Sequence, residues 1–76
     1  MTMTLEKIKE MNIPVGTTIE INFLDTKMIG YFLGLEKKED GYDILKYASS
    51  TTNGRLFENP AIISNINEIK ILEYKK

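Results

Sequence analysis

A mainly β fold is predicted for this chain, in which one short α-helix precedes a small, strongly bent barrel of five strands. Three observations point to it. Residues Ile19 to Phe23 alternate apolar and polar side chains, the period of a half-buried strand. The following apolar stretch from Met28 to Leu35, MIGYFLGL, carries Gly30 and Gly34 inside it, where a strand that must bend or bulge tolerates glycine. Helical spacing is confined to the first residues, and Asn53-Gly54 is the strongest hairpin signal in the chain.

The elements follow in order. Leu5, Ile8 and Met11 recur at helical spacing, with Thr4 as N-cap and Glu6 in the first turn, so a helix is expected within about residues 4–12. Asn12 and Pro14 end it, because the residue before a proline is pushed out of the helical region. A helix this short is marginal alone and needs its apolar stripe packed against the barrel, which is expected over about residues 15–74. The first strand sets Ile19, Ile21 and Phe23 against Glu20 and Asn22, and Asp25-Thr26 turns the chain. In the second strand Met28 and Phe32 share one face and Ile29, Tyr31 and Leu33 the other. Both faces are therefore apolar, and each needs a cover: the helix or another subunit.

Glu36 to Gly41 reads as a charged turn, and Tyr42 to Ala48 as the third strand, with Ile44, Leu45 and Tyr47. After a two-residue Asn53-Gly54 turn the fourth strand is expected from Arg55, with Leu56, Phe57 and Ile62-Ile63. Pro60 cannot donate a ladder hydrogen bond, so this strand either ends near Asn59 or bulges at the proline. Ser64 to Glu68 reads as a polar interruption before a last strand with Ile69, Ile71, Leu72 and Tyr74 that ends in Lys75-Lys76.

At 76 residues the chain holds one core and one domain. It has 42% hydrophobic and 28% charged residues, the balance of an ordinary folded protein rather than a disordered tail. With no cysteine to form a disulfide, the usual remaining support for so small a core is oligomerisation. The net charge of −1 offers no overall attraction to a phosphate backbone, so nucleic-acid binding would have to come from a local patch. No apolar run is long enough for a membrane span and no basic start precedes one, which sets the expectation of a cytoplasmic protein without a membrane partner.

Histidine is absent, and with it the commonest general base and transition-metal ligand. No nucleophile elbow or Gly-rich phosphate loop is present either, and the chain is expected to be no enzyme and to need no cofactor. Glu39, Asp40 and Asp43 are close in sequence but lack the ligand spacing of a calcium loop, so no metal site is assigned. Lys37-Lys38 beside Glu39-Asp40 is a self-compensated, solvated tip. Tyr42, at this turn, offers a ring on which a base can stack. Arg55, the sole arginine, offers a guanidinium for phosphate or base.

This order of parts, an SH3-like barrel behind a short helix, resembles the Sm and Sm-like proteins, a family that includes the bacterial RNA chaperone Hfq. The likeness is carried by IPVGTTIEINFLDTKMIGYFLGLE, residues 13–36, where Met28, Gly30, Phe32 and Glu36 fall at the places of the first Sm motif. The second half departs from the pattern. Tyr42 and Asp43 stand nearest the family's base-stacking ring and asparagine, and Ser64-Asn65 stand after Ile63 where the family has arginine-glycine. In an alternative register, Phe57, Glu58 and Asn59 meet the Tyr-Lys-His run of Hfq.

The resemblance implies a ring of identical subunits, typically about five to seven, in which the fourth strand of one copy pairs with the fifth of the next. Leu56, Phe57, Ile62 and Ile63 would then meet Ile69, Ile71 and Tyr74 of a neighbour. It also implies single-stranded RNA as ligand, at Tyr42, Asp43, Ser64 and Asn65, with Arg55 added from its own chemistry. The compact length and short loops fit a prokaryotic or phage member. The alternative expectation is an SH3-like structural or protein-interaction module that binds no nucleic acid. A peptide-recognition groove would have to gather Tyr31, Tyr42 and Tyr47, and strand parity does not gather them.

Overall fold

The computed structural model describes residues 2–39, 41–50 and 53–74. Helix α1 spans Leu5–Glu10, and five strands follow: β1 Thr18–Phe23, β2 Lys27–Lys37, β3 Asp43–Ser50, β4 Leu56–Ile62 and β5 Ile66–Glu73. A 3-10 turn, Ile63–Asn65, links β4 to β5. All strand pairs are antiparallel, in the order β4-β3-β2-β1-β5. The expected barrel is thus an open sheet. Closure would require β4 to pair with β5, but β5 instead runs along β1 from Thr18 to Phe23, which leaves β4 and β5 at opposite edges.

Strand β2 is the spine. Its first half, Lys27–Tyr31, pairs with β1, and its second half, from Tyr31 to Lys37, pairs with β3. The register slips between Phe32 and Gly34, so Leu33 is the extra residue of a bulge, and Gly34 takes φ 154 there. Gly30 meets a different demand. A Cβ at this position would lie 2.6 Å from the Ala48 carbonyl oxygen and 2.9 Å from Tyr47 Cδ2, so only glycine lets β2 approach β3 this closely.

The core lies between the inner face of the sheet and α1. Ile19, Ile21, Leu45, Ile63 and Ile66 are fully or almost fully buried there, with Leu5 and Ile8 from the helix and Phe32 from β2. Thr4 caps α1, its Oγ1 accepting the Lys7 N–H at 3.2 Å, and Asn12 ends it in the left-handed region at φ 52. The Met3 N–H donates to the Ile66 carbonyl at 2.7 Å and ties the helix entrance to the start of β5. Of the two covers expected for β2, the helix takes the inner face, while Ile29 and Tyr31 on the outer face stay exposed.

Three boundaries differ from expectation. The β3–β4 connection is longer than a two-residue turn. Pairing stops at Ser50 with Leu56, β4 begins at Leu56 rather than Arg55, and residues 51 and 52 of this loop lie outside the described ones. Pro60 neither ends β4 nor causes a bulge, since the register runs unbroken from Leu56 to Ile62; an edge strand can turn the missing N–H of a proline away from its ladder. Strand β5 starts at Ile66, inside the expected polar interruption. Asn22 pairs with Glu68 but Phe23 with Ile66, so Asn67 is bulged out and the buried Ile66 and Ile69 fall three residues apart. The expected end of this strand at Lys75-Lys76 lies outside the described residues.

Candidate nucleic-acid interface

The β2–β3 loop delivers Tyr42 and Asp43 to the entrance of β3. Its turn is closed by Gly41 N–H to Lys38 carbonyl at 3.1 Å and Lys38 N–H to Tyr42 carbonyl at 2.9 Å, with Gly41 at φ 94. At the same end of the hairpin, Ile44 pairs with Ile62, and the 3-10 turn places Ser64 beside them. The helix entrance forms the third wall. The result is a cavity of about 340 Å3 lined by Thr2 to Glu6, Gly41, Tyr42, Asp43, Ile63 and Ser64.

A second cavity, about 580 Å3, opens beyond Thr2 and Ser64, which line both. Phe23, the turn residues Leu24, Asp25 and Thr26, and the amides Asn65 and Asn67 complete it. The structure therefore brings four of the expected RNA-binding residues, Tyr42, Asp43, Ser64 and Asn65, to one end of the sheet. Arg55 is not among them. It sits in the β3–β4 loop at the opposite end of that hairpin, a strand length away, roughly 20 Å at the usual rise per residue.

The chemistry of this end is that of donors, acceptors and a ring, without cations. Tyr42 is 54% exposed. The charged residues of the two linings are Glu6, Asp43 and Asp25, all acidic. Asp43 is the unusual member, because its buried Oδ1 accepts no hydrogen bond from any described residue, and leaving such an acceptor unmatched costs about 1–3 kcal/mol. The nearby cations are engaged on the outer face instead. Lys38 Nζ lies 2.8 Å from Glu36 Oε1, and Lys46 bridges Glu36 and Glu58 at 3.7 Å each. Among the described residues no cluster of carboxylates is arranged to hold a metal ion; Asp40 lies outside them.

The expected subunit contacts divide in two. Leu56, Phe57 and Ile62 are exposed on the edge strand β4, at 60%, 52% and 36%. Ile63 and Ile69 instead turn into the core of their own chain, and Ile71 packs half-buried against it, so none of the three offers a free apolar surface. Neither Ile63 nor Ile69 can therefore serve as the expected side-chain contact with a neighbour. On the β5 side Leu72 and Tyr74 are exposed. Leu72 was outside the expected contacts because strict alternation from Ile69 and Ile71 gives it no place, and a register shift beside Ile71 supplies the reason. The helix-entrance wall, Thr2 to Glu6, and Asn67 carry no signal in the sequence that would have assigned them to the site.

No helix among the described residues is long and apolar enough to cross a membrane. In comparisons with protein-family models, curated proteins and solved structures, nothing matches this chain.

Proposed function

We propose that this chain is an Sm-like, non-enzymatic protein that assembles with copies of itself into a ring and binds single-stranded RNA through the bases. The observation that carries the reading is the pair of open sheet edges, β4 and β5, at opposite ends of one strand order. Unpaired edges are an aggregation hazard, and head-to-tail pairing of β4 with the β5 of the next copy removes both in a closed ring. Exposed Leu56 and Phe57 on one edge, and Leu72 and Tyr74 on the other, supply apolar surface for that joint. Pro60 interrupts the outward row of donors on β4, so the pairing runs along Leu56 to Asn59.

In such a ring each copy repeats the Tyr42 cavity, and weak single contacts add by avidity. Stacking on Tyr42 and hydrogen bonds from Ser64 and Asn65 are base contacts, which suit an end that has no cation to hold phosphate. A cytoplasmic place belongs to this reading. The acidic linings favour a second one: the same assembly as a protein-interaction module that touches no nucleic acid.

Light scattering coupled to size exclusion tests the assembly. The expected result is a mass independent of concentration at about five to seven times the 8.7 kDa chain. A monomer at every concentration overturns the ring. Titration of labelled RNA hexamers at low salt then separates the two readings, since the second predicts no binding to any of them.

A further inference from the structure

We infer that the Tyr42 cavity selects guanine over the other bases, with Asp43 as the residue that reads it. The inference rests on the RNA reading above and names the ligand of the same site. Asp43 lines the cavity, and its buried Oδ1 has no hydrogen-bond donor among the described residues. A buried carboxylate oxygen in this state is completed by a ligand that donates.

The four bases differ in what they bring. The Watson–Crick edge of guanine presents a ring N–H beside an exocyclic amino group, two adjacent donors that match the two oxygens of one carboxylate. Uracil presents a single N–H between two carbonyl oxygens, which the carboxylate repels. Adenine and cytosine each present an amino group beside an unprotonated ring nitrogen, one donor and one repelling acceptor. Glu6 at the same cavity, and the lack of any lysine or arginine in its lining, add to the preference for a donor-rich group over phosphate. The exposed ring of Tyr42 provides the stacking partner that every base accepts and therefore leaves the choice to Asp43.

The experiment measures fluorescence anisotropy at low salt with labelled hexamers of uridine carrying one guanosine, one inosine or no substitution, on the full chain and on Asp43→Asn. Inosine keeps the ring N–H and lacks the amino group. The guanosine hexamer is expected to bind about tenfold tighter than the all-uridine hexamer, with most of that advantage lost on inosine. Asp43→Asn is close to isosteric and is expected to erase the advantage while retaining the uridine affinity. Equal affinity for the guanosine and uridine hexamers, or a guanosine preference that survives in Asp43→Asn, overturns the inference and leaves RNA binding standing. Absence of binding to every hexamer overturns the RNA reading as well, and binding of an arginine-bearing peptide in their place does the same.

Discussion

Gly30 shows how a single missing atom sets the distance between strands. The Cβ of an alanine there would have to push into the Ala48 carbonyl, which is backbone of the paired strand β3 and cannot swing away as a side-chain tip can. Gly30→Ala is therefore expected to lower stability by about 1–3 kcal/mol, the usual cost of overpacking, as a fall in the urea midpoint at unchanged m-value. Gly34 is different: a Cβ there meets nothing within 4 Å, and what restricts it is the backbone angle at the bulge. The sequence shows two glycines in one strand and does not distinguish these roles. One depends on the local angle and the other on a strand that arrives from elsewhere in the chain.

At the scale of the element, α1 is legible from its own residues. Thr4, Leu5, Ile8 and Asn12 are cap, stripe and stop, and the structure uses each of them so. Six residues do not hold a helix in water, and it is Ile8, about 1% exposed, that fastens it to the core. Ile8→Ala should cost about 2–5 kcal/mol as a cavity at a buried site, whereas Lys9→Ala, on the exposed face, should stay within about 0.5 kcal/mol. Chemical denaturation followed by far-UV circular dichroism measures both.

The strands were less evenly legible. Period two located β1 and most of β3, where alternation survives in the fold. It failed at β5, because the bulge at Asn67 shifts the inward face by one residue and turns the spacing from Ile66 to Ile69 into three. The Asn53-Gly54 signal marked the right connection and the wrong length, since five residues separate the last paired positions, Ser50 and Leu56. Turn preference is local, whereas the point at which a ladder stops depends on both strands.

Across the whole molecule, charge is organised on the outer face of the sheet. The hydrogen bond from Asn22 Nδ2 to Glu20, at 3.1 Å, holds that carboxyl below its usual range, with Lys27 and Lys70 adding to the effect. Glu36 is held low chiefly by Lys38, through a hydrogen bond and its charge, and further by Lys46. A carboxyl with a lower value in the fold than in the unfolded chain stabilises the fold at pH above the unfolded value. That contribution disappears as pH falls through the folded value. The urea midpoint should therefore decline as pH drops below about 4.5, and the decline should be shallower in the Glu20→Gln, Glu36→Gln double variant. An equally steep decline in that variant would assign the acid sensitivity to other carboxylates.

The candidate site also belongs to this largest scale. Tyr42 and Asp43 were visible as an aromatic and an acid at a turn, and Ser64 and Asn65 as polar residues after an isoleucine pair, but their meeting depends on pairing Ile44 with Ile62 across the β3–β4 hairpin. Arg55 was equally visible and lies at the other end of the same hairpin. Apolar period, caps and turn residues suffice for a mainly β chain with a leading helix and a single core, because each acts over a few neighbouring residues. Long-range packing settles the rest: that β5 joins β1 rather than β4, that the sheet stays open with two edges, and which loops share a cavity. Strand partners are chosen by the burial of Ile63, Ile66 and Ile69 together with Ile19 and Ile21, and no stretch of sequence contains both sides of that choice.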